Sequence, residues 1–260
     1  MTDARIRIFS YLPNPRVWKS LIAAELCGVD VAVVGDKPAN LATWLWDFDA
    51  RQLEDSERTD DSPWARRSRR GFSGTLYKTD AFLTAHPYGT VPAAFSPDGE
   101  IGIFESNSIL RATVRASTED HGLYGTNGFE ASRIDSFLDA SLVFAREAQV
   151  YLLGLDVMTD ETWSRMSAAY EFYLNGIEQA LGNHSHVAMD AMTIADIAFV
   201  CDVGQFLRER RMLAAIENPS HKPVSDGLAE QFPRVLAHMK ALGETEAFSK
   251  HFGSFLKDIS

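Results

Sequence analysis

The chain has 260 residues, 45% hydrophobic and 23% charged, a globular balance with room for one large or two modest domains. Its formal net charge of −11 argues against a nucleic-acid partner, because binding phosphates needs a basic surface. No run reaches the roughly 18 apolar residues of a membrane span, and no apolar stretch follows a basic start, so a cytoplasmic protein without a targeting signal is expected.

Arg5 to Phe9 alternates polar and apolar residues, a strand pattern. Ser10 to Pro15 is a loop, and Arg16 to Cys27 repeats apolar residues at Val17, Leu21, Ala24 and Leu26, a helix that Gly28 can end. Val29 to Val34 is a second strand. Strand, helix, strand implies a βαβ unit with parallel strands, and no Cys-x-x-Cys follows the first strand to suggest thiol–disulfide exchange. Cys27 and Cys201 both sit in apolar, helix-like surroundings and read as buried thiols, with a nucleophile or a disulfide as the other reading.

The segment from Lys37 to Ala85 is far longer than an ordinary connection inside such a unit. It carries an aromatic patch (Trp44, Trp46, Phe48), acidic residues from Asp47 to Asp61, and Arg66, Arg67, Arg69 and Arg70. Two readings fit: a solvated, self-neutralising loop, or a lid over residues 48–72 whose arginines or aromatics reach a ligand.

His86 to Asn107 carries the densest signal. Pro92 lacks an N–H and suits the first residue of a strand. Pro92–Phe95 and Glu100–Phe104 are short apolar runs around Ser96-Pro-Asp-Gly99, whose proline and glycine are turn chemistry. Glu105-Ser106-Asn107 offers capping groups before Ile109-Leu110, so a polar trio stands at a helix N-terminus, where backbone N–H groups and the dipole favour an anion. The peptide of Val91, beside the proline, is left free of any ladder and can pair with a ligand's own peptide. An ordinary hairpin and capped helix is the plainer reading of the same residues.

After a linker near Ser117–Asn127 the pattern is helical to the end, with apolar repeats in Glu130–Ala145 and Thr162–Leu181. Thr193 and Asp196 fit a capping box at a buried helix start.

Gly-Thr-Val-Pro92 with Phe-Glu-Ser-Asn107, and Thr193-Ile-Ala-Asp196 about a hundred residues later, resemble the marks of the glutathione transferase superfamily. Ser10 to Glu25 together with Phe104-Glu-Ser-Asn107 is similar to the transferase-like domain of elongation factor 1 gamma, while the insert looks like the β-etherase branch, which cleaves lignin-derived aryl ethers with glutathione. The resemblance implies the glutathione transferase fold: an α/β thioredoxin-like domain over residues 1–116, interrupted by an insert at about 37–85, and an all-α domain over 128–260. It implies glutathione as the bound cofactor, a cis bond before Pro92, pairing of Val91's backbone with the cysteinyl part, and Glu105 and Ser106 on the γ-glutamyl group. It also implies an aromatic small-molecule substrate, and a homodimer or a heterodimer with a related transferase. No metal, nucleic acid or membrane partner is expected.

The chemistry such a protein needs is thiol activation. A free thiol with pKa near 8.5 is only about 3% thiolate at pH 7, and lowering it by roughly two units takes about 2.7 kcal/mol, which one or two hydrogen bonds to the anion supply. The family commonly places Ser, Tyr or Cys at the start of the first helix. Here Asn14-Pro15-Arg16 stands there. Asn14 is the candidate catalytic donor and Arg16 a candidate ligand contact, whereas Pro15 donates nothing. Two functions follow: glutathione-dependent cleavage of aryl ethers or similar aromatic electrophiles, or a catalytically weak subunit that binds glutathione and acts by assembly with a partner.

Overall fold

The structure is a computed structural model that describes residues 5–68, 72–212 and 221–256. The chain divides into two compact units, Met1–Glu119 and Asp120–Ser260.

The first unit begins with β1 (Ile6–Tyr11), α1 (Pro15–Cys27) and β2 (Val31–Asp36), with β1 and β2 parallel. Asn14 caps the start of α1, and Gly28, in the left-handed conformation at φ 65°, ends it. The chain returns to this sheet at β7 (Ala93–Phe95) and β8 (Gly102–Phe104), both antiparallel to their neighbours, giving the order β2-β1-β7-β8. Helix α3 (Ser106–Arg115) follows. Apolar residues alternate along β1: Ile6 and Ile8 pack with Val17, Ala94 and Ile109 on the side of α1 and α3, while Phe9 packs with Trp46, Leu76, Phe82 and Phe95 on the other.

The long insert is not an unstructured loop. It forms a second four-stranded sheet from β3 (Trp44–Trp46), β4 (Arg51–Gln52), β5 (Ala65–Arg67) and β6 (Thr75–Lys78), in the order β4-β3-β6-β5, followed by α2 (Asp80–Ala85). Trp46 ties the two sheets together. It is 1% exposed, meets Phe9 of β1 edge-on with ring centres 5.5 Å apart, touches Phe72 and Phe82 in the same manner, and donates its indole N–H to the Leu41 carbonyl at 3.0 Å. The insert also reaches the β7–β8 turn. Gly99 has φ 81°, and a Cβ there would stand 2.6 Å from the Phe48 ring, so this turn takes glycine for two independent reasons. Arg69 and Arg70 lie outside the described residues.

The second unit is helical: α4 (Gly128–Leu153), α5 (Asp160–Asn183), α6 (Ile194–Phe206), α7 (Leu228–Gln231), α8 (Pro233–Gly243) and α9 (Glu246–Leu256). Helix α6 is its buried centre. Its start is the capping box expected from Thr193 and Asp196: the Asp196 carboxylate, fully buried, accepts the Thr193 N–H at 2.9 Å, and Thr193 Oγ1 accepts from Ala195 N. Asp196 Oδ1 also accepts the Val187 N–H and lies 2.8 Å from His238 Nε2. A buried carboxylate is tolerable only when its lone pairs are used in this way. Among the described residues no helix is long and apolar enough to cross a membrane, and none of the acidic, His and Cys side chains cluster as a metal site would require.

Candidate functional site

Three segments meet at one end of the first sheet. Ala93 of β7 lies opposite Phe9 of β1 on one side and opposite Phe104 of β8 on the other. Both pairings are antiparallel, so continuing the registers brings Tyr11 level with Val91 and Glu105 level with Pro92. The loop from Leu12 into α1, the segment Val91–Pro92 and the start of α3 therefore share that end. The Val91–Pro92 peptide bond is cis, as is Leu12–Pro13. No backbone hydrogen bond engages Val91 among the described residues.

Glu105 stands at the N-cap of α3 with φ 66° and ψ 125°, and it is the one non-glycine residue with positive φ among the described residues. Holding a glutamate there costs about 1–3 kcal/mol, and such strain concentrates at binding sites. Its side chain is exposed and makes no capping bond, so no side chain caps the start of α3. Ser106 beside it is 6% exposed. Beneath that turn Lys19 of α1, 1% exposed, donates from Nζ to Asn107 Oδ1 at 2.8 Å and to Ser106 Oγ at 3.3 Å.

At the start of α1 the picture is different. Asn14 is fully buried; its Oδ1 accepts the Arg16 N–H at 3.0 Å and its Nδ2 donates to Ser10 Oγ at 3.0 Å. Its backbone carbonyl accepts from Val17 and Trp18. Pro15 brings no N–H. The first turn of α1 thus offers no spare backbone donor, and Asn14 keeps one amide hydrogen beyond the two contacts that hold the helix start. Arg16 is half-buried at the second position of the helix.

No family model matches the sequence. The chain is 26% identical over 184 residues to the glutathione S-transferase-like protein OpS6 of Beauveria bassiana, which covers 66% of this chain and 77% of that protein. It is 23% identical over 199 residues to elongation factor 1-gamma of Artemia salina, covering 75% of this chain and 37% of that longer protein. Its backbone matches the glutathione transferase URE2P6 of Phanerochaete chrysosporium, solved in complex with oxidized glutathione, with a TM-score of 0.64 at 15% identity over 98% of each chain. The chain has the glutathione transferase fold.

Within that fold the expected residues divide into two groups. Val91, Pro92, Glu105 and Ser106 come together at one sheet end, with features that suit a peptide ligand: a Val91 peptide without a backbone partner among the described residues and a helix start without a side-chain cap. Asn14 and Arg16 stand at the head of α1, and there Asn14 has the structural work of capping. Three residues had no assigned role in the sequence. Lys19 is one. His86, fully buried, stacks on Phe104 with ring centres 4.9 Å apart, immediately before Glu105, and its Nε2 lies 3.4 Å from Thr90 Oγ1. Burial first, then the nearby Lys78 ammonium, pushes its pKa down to about 4, so the ring is neutral at pH 7. Lys78, the third, donates to the Gly89 carbonyl at 2.6 Å and lies 4.4 Å over the Trp46 ring; burial lowers its pKa to about 8. His86 and Lys78 both contact the loop that leads to Val91, at Thr90 and at Gly89. A lysine in a mostly apolar helix run was the only sequence signal for Lys19 and a histidine before proline the only one for His86; nothing marked Lys78.

Proposed function

We propose that this chain binds glutathione at the Val91–Glu105–Ser106 end of its first sheet and belongs to the transferase kind of glutathione-dependent enzyme. The observation that carries the reading is the pairing of an unengaged Val91 peptide with Glu105, held at positive φ over an uncapped helix start. In this reading Val91 pairs with the cysteinyl peptide, Pro92 keeps that peptide out of the sheet, and Ser106 and Glu105 hold the γ-glutamyl carboxylate and ammonium. Asn14 offers its remaining amide hydrogen to the thiolate, and Arg16 stands at the same helix start. The names of OpS6 and of the URE2P6 complex support glutathione as the ligand. The substrate class is an aromatic electrophile, with lignin-derived aryl ethers as the finer proposal. A C–S bond forms from the thiolate as the C–O bond breaks, and the phenolate leaves with the bonding pair. Cys27 and Cys201, both buried and outside any disulfide, suit a reducing cytoplasm.

The second reading is a catalytically weak subunit that retains ligand binding. It is favoured by the head of α1, where Pro15 lacks an N–H and the donors of Arg16, Val17 and Trp18 are already taken by Asn14. Assembly with a second copy or a related chain is supported by exposed apolar side chains along one stripe of α4, Val143, Val150 and Leu153. Thiolate absorbance of bound glutathione, with aryl-ether turnover measured for the chain alone and beside related subunits, separates the two. A thiolate band with turnover supports the enzyme, binding without either supports the subunit, and absence of binding refutes both.

A further inference from the structure

We infer that Lys19 is a positioning residue of the anion-binding end of this site, setting Ser106 as a donor toward a carboxylate. The inference rests on the reading of Ser106 as a glutathione contact. An ammonium has three donors and no acceptor, so in the 3.3 Å contact from Lys19 Nζ the Ser106 oxygen must be the acceptor. The hydroxyl of Ser106 then has its own hydrogen to place, and among the described residues no acceptor meets it, although the residue is 6% exposed. That hydrogen is left for the space over the first turn of α3, where the helix start is uncapped. Lys19 also holds Asn107 Oδ1 at 2.8 Å, which fixes the next residue of the same turn. The Lys19 ammonium, the N-terminal end of the α3 dipole and the Ser106 hydroxyl thus stand at one helix start. That arrangement selects a negatively charged oxygen and disfavours an amide of the same shape. The chemistry recognised is a carboxylate at the amino-acid end of the ligand.

A cycle of two ligands and two proteins tests this. Calorimetry is run with glutathione and with its analogue in which the glutamyl α-carboxylate is a carboxamide, against the unmodified chain and Lys19→Met. The unmodified chain is expected to prefer glutathione at least ten-fold, and Lys19→Met to reduce the preference to three-fold or less. A purely structural tie between α1 and α3 would weaken both ligands equally and leave the ratio intact, which overturns the inference while the glutathione reading stands. Should Lys19→Met not fold, Lys19→Gln, which keeps a donor for Ser106 and Asn107 but no charge, takes its place in the cycle: a preference reduced to three-fold or less sustains the inference and an unchanged one overturns it. Failure of the unmodified chain to bind either ligand removes the glutathione reading itself, and the inference with it.

Discussion

His86 makes the acid stability of the first unit measurable at one residue. Its ring is fully buried against Phe104, and its pKa falls from 6.5 to about 4, chiefly through burial and secondarily through Lys78. A histidine whose folded pKa is depressed favours the folded state when neutral. Its contribution is present above the unfolded pKa and is lost as pH falls toward the folded one, because in that window the unfolded chain binds one more proton. The slope is about 1.4 kcal/mol per pH unit, and the loss between roughly pH 7.5 and pH 4.5 comes to about 2.5 kcal/mol. His86→Phe keeps a ring for Phe104 to stack on and removes the titration. Urea unfolding of both proteins at several pH values across that range should show the unmodified chain losing about 2.5 kcal/mol more than the variant, since carboxylate contributions are common to both. Parallel curves would refute the placement of His86 in a dry pocket beside the site.

Other perturbations follow from the same geometry. Glu105→Gly relieves a positive φ and should raise unfolding stability by about 1 kcal/mol while weakening glutathione binding; a loss of stability would contradict the strain. Trp46→Ala should cost about 3–5 kcal/mol in chemical denaturation, and deleting residues 48–72 should unfold the first unit, because β4, β5, Phe48 and Phe72 go with them; a deletion that melts like the parent chain would contradict a shared core. Pro15→Ser restores an N–H and a hydroxyl at the head of α1 and should raise turnover at least roughly ten-fold, about 1.4 kcal/mol of barrier. If Asn14 already activates the thiol, steady-state rates will instead collapse in Asn14→Ala and stay level in Pro15→Ser. Lys78, with its pKa lowered to about 8, binds fewer protons folded than unfolded between that pH and about 10.5, so stability should climb through this window and do so less in Lys78→Met, as read by urea unfolding.

Much of the fold was legible because its signals are local. The βα start, the Ser96–Gly99 turn, the helix end at Gly28 and the capping box at Thr193–Asp196 each need only a few neighbouring residues of the right type. The insert was not legible, since its strands are two to four residues long and alternation cannot show over so short a span. What packs it against the first sheet is Trp46, whose partners Phe9 and Phe82 lie 37 and 36 positions away in sequence. At the proposed site, Val91, Glu105 and Ser106 were singled out because the motif marks them. Asn14 was read as a donor to the thiol; the structure also gives it the capping of α1, its Nδ2 donating to Ser10 Oγ and its Oδ1 accepting the Arg16 N–H, which only three-dimensional contacts reveal. Lys19 was overlooked for the opposite reason: a lysine in an amphipathic run reads as solvent-facing, yet α1 is buried nearly all round and its ammonium lies under α3.

Calorimetric titration of glutathione into the unmodified chain and into Glu105→Ala is the most direct test of the proposed site. Saturable binding is expected for the unmodified chain, weakened more than ten-fold in Glu105→Ala, since a charge-assisted contact of about 1.5 kcal/mol or more is lost. Equal affinities would remove Glu105 from the site, and no binding by the unmodified chain would contradict a glutathione site altogether.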